Sequence, residues 1–292
     1  MDKFKNYLQG FTRSTFGLEN IKGGRHVIHW RLTDILFVAL LMVLYPIVND
    51  LQPFQRQFYI NDLTISHPFA EHERVTSDEL FWYAAWIPLL AIAVLSLVIT
   101  KPKNKLYVTY VSVLGICIST LTSSIITGVL KNAFGRHRPD FLARCIPKAD
   151  APKDIMVLAK DVCTTDNIDR LMDGFRTTPL GHSSIAFGGL LYLLFWLLGQ
   201  LTVTRPQTGA WRSALAFLPT LGAMLIALSR TEDYRHHFID VFVGLVLGAV
   251  IATWLYFRLF PSFSALRCYE PRLLIDQEEI APESGYLPVE EV

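Results

Sequence analysis

The sequence predicts an all-α integral membrane protein, built as one bundle of six transmembrane helices. Of its 292 residues 51% are hydrophobic, and the mean hydropathy is positive at +0.33. The apolar residues gather in six runs, each close to the roughly 20 residues that cross a hydrocarbon core about 30 Å thick. Because a spanning segment must satisfy its own backbone hydrogen bonds, each run is expected to be a helix. The net charge of +1 gives no indication of a nucleic-acid partner.

The six runs divide the chain into three parts: a cytosolic segment 1–31, a six-span domain 32–260 and an acidic cytosolic tail 261–292 that is expected to be disordered. Residues 1–31 hold six Lys or Arg and no long apolar run, so the first span is predicted to act as an uncleaved anchor. The first and fifth runs are short and are expected to extend at their ends. The runs lie near Leu32–Val48, Leu80–Thr100, Leu106–Leu130, Ser183–Thr204, Ala214–Leu228 and Phe238–Phe260.

The distribution of Lys and Arg predicts the orientation in the membrane. The amino-terminal segment and the 101–105 loop are rich in both, whereas the first loop, Asn49–Glu79, has only Arg56 and Arg74. Both termini are therefore expected in the cytosol, and the first, third and fifth loops are expected to be lumenal or extracellular. The third loop is also basic, but it is long, and some of its cations belong to a motif. Vacuolar, Golgi and plasma membranes all fit this orientation.

Three short charged blocks interrupt the apolar sequence. Together they offer three cations, two histidines and one carboxylate, a set suited to holding a phosphate while a histidine attacks it. Charges beside membrane spans are costly and usually functional. The first two blocks flank the third loop and the last lies in the fifth loop, so all three open on one side of the membrane. The blocks are Lys131–Pro139, Pro179-Leu180-Gly181-His182, and Ser229-Arg230 followed after five residues by His236 and after three more by Asp240.

The spacing of these blocks resembles the type 2 phosphatidic acid phosphatase (PAP2) superfamily, also called lipid phosphate phosphatases. That family has Lys-x6-Arg-Pro, then Pro-Ser-Gly-His, then Ser-Arg-x5-His-x3-Asp. The first and third blocks match in full, and the second differs only at Leu180, where the family has serine. Three further stretches resemble the fungal diacylglycerol pyrophosphate phosphatases, namely Gln52–Pro68, Asp161–Thr165 and Asp173–Thr178. The resemblance implies a PAP2-type helical bundle.

The two histidines are the candidate catalytic groups. His236 and Asp240 lie four residues apart, so a helix places them on one face, where the carboxylate can accept the Nδ1 proton and leave Nε2 as a nucleophile. The resemblance implies a phosphohistidine at His236 and an acid, then base, role for His182. Gly181 opens a helix whose free N–H groups suit an anion. An ordinary surface pair and a helix-capping histidine are the alternative interpretations.

The cations Lys131, Arg138 and Arg230 are predicted to bind the phosphate, with Ser229 and the Gly181 backbone in support. Fixed cations can replace a metal in phosphoryl transfer, so neither a metal nor another cofactor is expected. The neighbouring charged residues are expected to be solvated or interfacial. These are Arg136, His137, Arg235 and His237.

Leu180 is the position that departs from the family pattern. A serine hydroxyl there would donate a hydrogen bond to phosphate, and the loss of one such donor typically lowers the rate about 100- to 1000-fold. Leucine cannot donate, and its bulk is expected to crowd the phosphate cradle. Weakened activity is therefore expected.

Two further expectations concern the third and first loops. Cys145 and Cys163 both fall in the third loop, where an oxidising compartment would permit a disulfide bond. The stretch Pro53–His67, with aromatic residues among polar ones, is expected to form a packed cap on the helices; a segment at the bilayer surface is the alternative. No Cys/His spacing indicates zinc.

The resemblance implies magnesium-independent hydrolysis of diacylglycerol pyrophosphate to phosphatidate, and of phosphatidate to diacylglycerol, with lysophosphatidate as a further substrate. The expected partners are a membrane lipid phosphate and the bilayer. Sphingoid-base and polyprenyl phosphates are alternative substrates. A catalytically weakened or silent lipid-phosphate-binding or scrambling protein is a second alternative. A vanadate-dependent haloperoxidase is a third, which six spans argue against.

Overall fold

The computed structural model describes residues 15–18 and 21–280. Six of its helices are long and apolar enough to cross a membrane, which confirms the predicted all-α, six-span architecture. In the described residues no strand forms, and extended backbone pairs only at two isolated bridges. The six helices, here called spans 1 to 6, are Leu32–Asp50, Ser77–Ile99, Lys105–Phe134, Gly181–Gln200, Ala210–Glu232 and Phe238–Leu259.

Shorter helices lie outside the spans. Gly24–His29 precedes span 1, and a single 3-10 turn, Leu63–Ile65, lies in the first loop. The third loop carries Phe141–Cys145, Ala159–Val162 and Ile168–Asp173.

The tail after span 6 is more ordered than predicted. Instead of being disordered from residue 261, it forms a helix over Arg272–Ile280, held by an ion pair of 2.6 Å from Arg267 to Glu278. Cys268 is buried against span 4. Residues 281–292 of the expected tail, and residues 1–14 and 19–20 of the expected amino-terminal segment, lie outside the described residues.

Spans 3 and 4 form the centre of the bundle. Span 4 is the most buried of the six, and span 3 packs against spans 1, 2, 4 and 6. The indole of Trp196 is fully buried and donates from Nε1 to the Ser112 hydroxyl at 2.9 Å, so its polar atom is satisfied inside the bundle. Span 1 exposes most of its apolar side chains, the surface that lipid tails would cover.

Small residues let these helices approach closely. A Cβ added at Gly189 would lie 1.8 Å from the carbonyl oxygen of Ala84, and one at Gly248 would lie 2.3 Å from that of Ser184. Both positions require glycine because backbone of a neighbouring helix already occupies the space. Such contacts are typical of helix packing in membranes, where van der Waals contact replaces the hydrophobic effect.

The first and third loops fold together as a cap at one end of the bundle. Phe58 exchanges two backbone hydrogen bonds with Val157 and packs on Phe141, with ring centroids 4.9 Å apart. Cys145 and Cys163 form a disulfide bond within the cap. The stretch Pro53–His67 belongs to the cap as expected: Phe58 and Ile65 are buried, while Phe54, Tyr59 and Leu63 remain exposed.

Candidate active site

A cavity of about 350 Å³ opens where the cap meets the ends of the spans. Its lining brings together six residues from all three charged blocks, although they come from three different helices and two loops. Leu180, Ser229 and Asp240 do not line it. The six are Lys131, Arg138, Gly181, His182, Arg230 and His236.

A tight turn between spans 5 and 6 delivers His236 to the cavity. Span 5 ends at Glu232, and Tyr234 adopts a left-handed backbone with φ of 52°, a conformation that is uncommon for a bulky residue. The Arg235 N–H then donates to the Arg230 carbonyl at 3.1 Å. The turn leaves His236 only 3% exposed, directly before span 6.

Thr177 sets the orientation of the His236 ring. The imidazole Nδ1 lies 2.9 Å from the Thr177 carbonyl oxygen and 3.1 Å from its hydroxyl. A carbonyl can only accept, so Nδ1 carries the proton and Nε2 keeps the free lone pair that the predicted nucleophile needs. The hydrogen bond predicted from His236 to Asp240 is not formed directly: Asp240 Oδ2 is 4.0 Å from Nδ1. The Thr177 hydroxyl bridges them, donating to Asp240 Oδ2 at 2.7 Å.

Asp240 acts as a buried junction between the second and third blocks. Its carboxylate accepts hydrogen bonds from the Thr178 hydroxyl, from the His237 N–H at 2.8 Å and from Arg136 at 3.3 Å. Its backbone carbonyl accepts from the Leu180 N–H at 3.1 Å. The carboxylate therefore fixes the position of the segment that orients the nucleophile.

The electrostatic environment keeps the His236 imidazole neutral. Burial lowers the pKa of His236 well below its usual value, and the positive charges of Arg138, Lys131 and Arg230 lower it further. A neutral imidazole is the nucleophilic form, so this shift favours attack at neutral pH.

His182 lies at the start of span 4 with one nitrogen already occupied. Its Nε2 lies 3.0 Å from the Val75 carbonyl oxygen, which can only accept, so Nε2 carries a proton. The ring lines the cavity, and Nδ1 is the atom available for proton transfer. A Cβ added at Gly181 would lie 3.3 Å from Lys131 Nζ, which shows how closely the helix start approaches that cation.

The two arginines of the predicted cradle are each held by a carboxylate. Arg138 pairs with Asp173 at 2.7 Å and Arg230 with Glu73 at 2.6 Å, while Arg230 also donates to the Val75 carbonyl at 2.9 Å. Burial lowers the pKa of Arg138 to about 10, which leaves it charged at neutral pH. Burial alone would raise the pKa of Asp173, but Arg138, Arg144 and Lys131 outweigh it and bring that pKa to about 2.

The four charged residues that the sequence places in solvent all make contacts inside the protein, and one of them lines the cavity. His137 is buried, its Nε2 lies 2.9 Å from the Arg56 carbonyl oxygen, and burial lowers its pKa to about 4. Arg235 is buried, pairs with Glu73 at 3.1 Å and lines the cavity. Arg136 and His237 both contact Asp240. Burial requires partners for His137 and Arg235. Arg136 and His237 stay partly exposed, with 41% and 22% of their side chains accessible.

Two motif positions face away from the cavity. The Leu180 side chain is fully buried in an apolar cluster with Leu80, Ala227 and Val241, so it does not crowd the cradle. The Ser229 hydroxyl donates to the Ile226 carbonyl of its own helix at 2.8 Å. Among the described residues, no group of three or more His, Cys, Asp or Glu side chains is arranged to hold a metal ion.

The fold and the site define a class: a six-span membrane protein with a neutral histidine facing a cationic, anion-binding cavity. The chain belongs to the PAP2 superfamily, whose model matches residues 112–263. It is 48% identical over 257 residues to diacylglycerol pyrophosphate phosphatase 1 of Saccharomyces cerevisiae, covering 88% of each chain.

Two other relatives support the same family. The probable diacylglycerol pyrophosphate phosphatase 1 of Schizosaccharomyces pombe is 39% identical, with 91% of this chain and 93% of the relative covered. Lipid phosphate phosphatase 2 of Arabidopsis thaliana is 32% identical, with 82% and 80% covered. No solved structure gives a significant match. The family predicted from the three blocks is therefore confirmed.

Proposed function

We propose that this protein is a magnesium-independent lipid phosphate phosphatase that converts diacylglycerol pyrophosphate to phosphatidate and phosphatidate to diacylglycerol. One observation carries the proposal: a single cavity combines a buried neutral histidine, a cationic cradle and an apolar wall. The two yeast relatives, both named as diacylglycerol pyrophosphate phosphatases, support the pyrophosphate substrate.

The geometry supports a two-step transfer. His236 Nε2 attacks phosphorus and the bond from phosphorus to the leaving oxygen breaks. His182 takes up a proton on Nδ1 once the negative charge of the bound substrate offsets the surrounding cations, and it donates this proton to the leaving oxygen. Now neutral, His182 accepts a proton from water, and the hydroxide attacks the phosphohistidine. The N–P bond breaks, inorganic phosphate leaves, and the nitrogen lone pair returns to His236.

The cations stabilise the charge that develops on the phosphoryl oxygens. Lys131, Arg138 and Arg230 line the cavity beside His236, and the two arginines are fixed by carboxylates before substrate binds. Fixed charges in a buried site need little reorganisation during the reaction, which makes them effective in stabilising the transition state. They supply the charge that a magnesium ion supplies in other phosphoryl-transfer sites.

The apolar wall supports a lipid substrate. Spans 1 and 2 both pack against span 3, and between them the Tyr45 and Phe81 rings meet edge to face, with centroids 6.1 Å apart. Val48 and Ile125 continue this wall inside the cavity. A headgroup can therefore reach the histidines while its acyl chains extend between spans 1 and 2.

The membrane orientation is part of the proposal. We place the cap and the cavity on the lumenal or extracellular side of a vacuolar, Golgi or plasma membrane. The Lys and Arg distribution supports this side, and so does the Cys145–Cys163 disulfide bond, because such bonds persist in oxidising compartments.

Leu180 favours a second candidate, a weakened or silent member that binds lipid phosphates and releases phosphate slowly or not at all. A leucine at the start of span 4 gives neither a helix cap nor a donor to phosphate. Sphingoid-base and polyprenyl phosphates present the same terminal phosphate to the cavity and are alternative substrates.

Phosphate release from diacylglycerol pyrophosphate by the detergent-purified full chain in EDTA tests these candidates. We expect release by the unmodified chain, none by His236→Ala, and normal release by His72→Ala, an exposed histidine outside this cavity. Leu180→Ser should raise kcat about tenfold or more, provided that the shorter side chain leaves the apolar cluster that holds Leu180 and turns its hydroxyl towards the phosphate. If the unmodified chain releases no phosphate from any lipid phosphate, the silent member is correct. If Leu180→Ser is inactive as well, the phosphatase proposal fails.

A further inference from the structure

The cavity carries more positive charge than one phosphate requires. Five cations line it against two carboxylates, Glu73 and Asp173, which leaves an excess of three positive charges. A phosphomonoester carries a charge of only about −1.5 to −2 at neutral pH. The inner phosphate of a lipid pyrophosphate adds one more ionised oxygen. The five cations are Lys131, Arg138, Arg176, Arg230 and Arg235.

The excess charge is concentrated at one place in the cavity. Arg138 pairs with Asp173, while Arg230 and Arg235 share Glu73. Within the described part of the chain, neither Lys131 nor Arg176 has a carboxylate oxygen within 4.0 Å. Arg176 donates to the side chain of Asn132, the residue after Lys131 in span 3, so both cations belong to the same end of the cavity. Two cations with no carboxylate oxygen in direct contact are suited to an anion that reaches beyond the Arg138–Arg230 cradle.

Arg176 connects the cationic end of the cavity to its apolar wall. Its Nε donates to the Asn132 side chain at 2.9 Å, next to Lys131 in span 3. Its Nη2 donates to the carbonyl oxygens of Leu51 at 2.5 Å and Asn49 at 3.3 Å, at the end of span 1. Nη1 takes part in none of these bonds. Arg176 is thus held rigidly with one donor group to spare.

We propose that Arg176 binds the inner phosphate of a lipid pyrophosphate and makes the site prefer pyrophosphate over monophosphate lipids. This inference rests on the proposed function. With the terminal phosphate at His236 and the acyl chains along span 1, the inner phosphate falls between them, where Arg176 joins Asn132 of span 3 to the end of span 1. Arg176 belongs to none of the three charged blocks, so it can set substrate preference without taking part in phosphoryl transfer.

The test is the ratio of kcat/KM for diacylglycerol pyrophosphate to that for phosphatidate, measured on the full chain in detergent micelles. Arg176→Gln keeps a donor for the span 1 carbonyls but removes the charge. We expect the ratio to fall about 10- to 100-fold, the usual effect of one charge-assisted hydrogen bond. Arg176→Lys keeps the charge and should give a ratio between those of the Gln variant and the unmodified chain.

Arg170→Gln is the matched control, because it removes an arginine from the same loop but outside the cavity, and it should leave the ratio unchanged. An equal fall with both substrates in Arg176→Gln would overturn the inference, since Arg176 would then only anchor span 1. An unchanged ratio would overturn it as well. With either result, the proposed function is still supported as long as the unmodified chain releases phosphate. If the unmodified chain releases phosphate from neither lipid, the proposed function and this inference fail together.

Discussion

Thr177 illustrates how a site residue is missed when only charged motif positions are considered. It lies outside the three blocks, yet its carbonyl and hydroxyl both contact the His236 ring. The motif residues that line the cavity could be predicted because their spacing is tied to helix ends. Glu73 could not, because its pairing with Arg230 spans 157 residues of sequence and carries no local pattern. The Ser229 hydroxyl points away from the cavity because it bonds to the backbone of its own helix, and the motif does not predict this contact.

Replacing Thr177 tests the bridge between His236 and Asp240. Thr177→Val keeps the carbonyl that holds Nδ1 but removes the hydroxyl, leaving Asp240 Oδ2 without one donor. We expect kcat to fall about tenfold with KM unchanged, because one buried hydrogen bond is lost and substrate is not contacted. Steady-state phosphate release is the measurement.

Thr177→Ser is the control for this bridge, because it restores the hydroxyl and should restore kcat. If the Val variant keeps the kcat of the unmodified chain, or if Ser is as slow as Val, Thr177 does not position the nucleophile.

Hydropathy predicts the apolar middle of each helix, but not the residues at which the helix begins and ends. The fifth apolar run, Ala214–Leu228, extends at both ends as expected, and span 5 covers Ala210–Glu232. Apolar patterning ends at the flanking charges, whereas backbone hydrogen bonding continues through Arg230 to the turn that carries His236. The helix at Arg272–Ile280 was not predicted, because its ion pairs from Arg267 and Lys103 to Glu278 are tertiary contacts.

The close contact between spans 4 and 6 is tested by Gly248→Ala. The added Cβ would lie 2.3 Å from the Ser184 carbonyl oxygen, so the helices must move apart near His182. We expect a lower melting temperature in detergent and lower kcat, with a destabilisation of about 1–3 kcal/mol, as is typical of overpacking. Thermal unfolding followed by circular dichroism is the measurement.

Gly222→Ala provides the comparison for this pair. Its Cβ would meet only Leu190 at 3.8 Å, an ordinary contact, and alanine is the better helix former. Its stability should stay equal or rise. Equal melting temperatures for the two variants would mean that spans 4 and 6 do not need this close approach.

At the scale of the whole molecule, two sequence-distant loops close one end of the bundle and hold the catalytic residues in register. The first loop supplies Glu73, which pairs with Arg230, and the third loop supplies Asp173, which pairs with Arg138. Both arginines of the cradle are therefore fixed by carboxylates of the cap. The six spans follow from hydropathy. The pairing of the loops does not, because it depends on buried contacts such as Phe58 with Phe141. Arg144 adds to this, with 2.9 Å ion pairs to both Asp140 and Asp173.

Removing the disulfide tests how far the cap governs activity. Cys145 and Cys163 are 18 residues apart, and a loop of this size corresponds to about 3 kcal/mol of stabilisation. In the double variant Cys145→Ala/Cys163→Ala we expect activity to be lost at a lower temperature than helical circular dichroism, because the cap opens before the spans unfold.

Cys117→Ala, which removes a free cysteine within span 3, is the control. In this variant, as in the unmodified chain, activity and helical circular dichroism should be lost at the same temperature. If activity and helicity are lost together in the double variant too, the cap and the bundle unfold as one unit.

The length of span 3 has a consequence for the chemistry of the two leaflets. Its 30 residues extend about 45 Å, beyond a hydrocarbon core of about 30 Å, and Lys131 lies within the last turn and a half of one end. Under the proposed function, hydrolysis is thereby restricted to lipids of the adjoining leaflet. The inorganic phosphate is discharged into water on that side alone, and each turnover removes negative charge from that face of the membrane. A protein with this architecture therefore changes the charge asymmetry of its bilayer as well as its lipid composition.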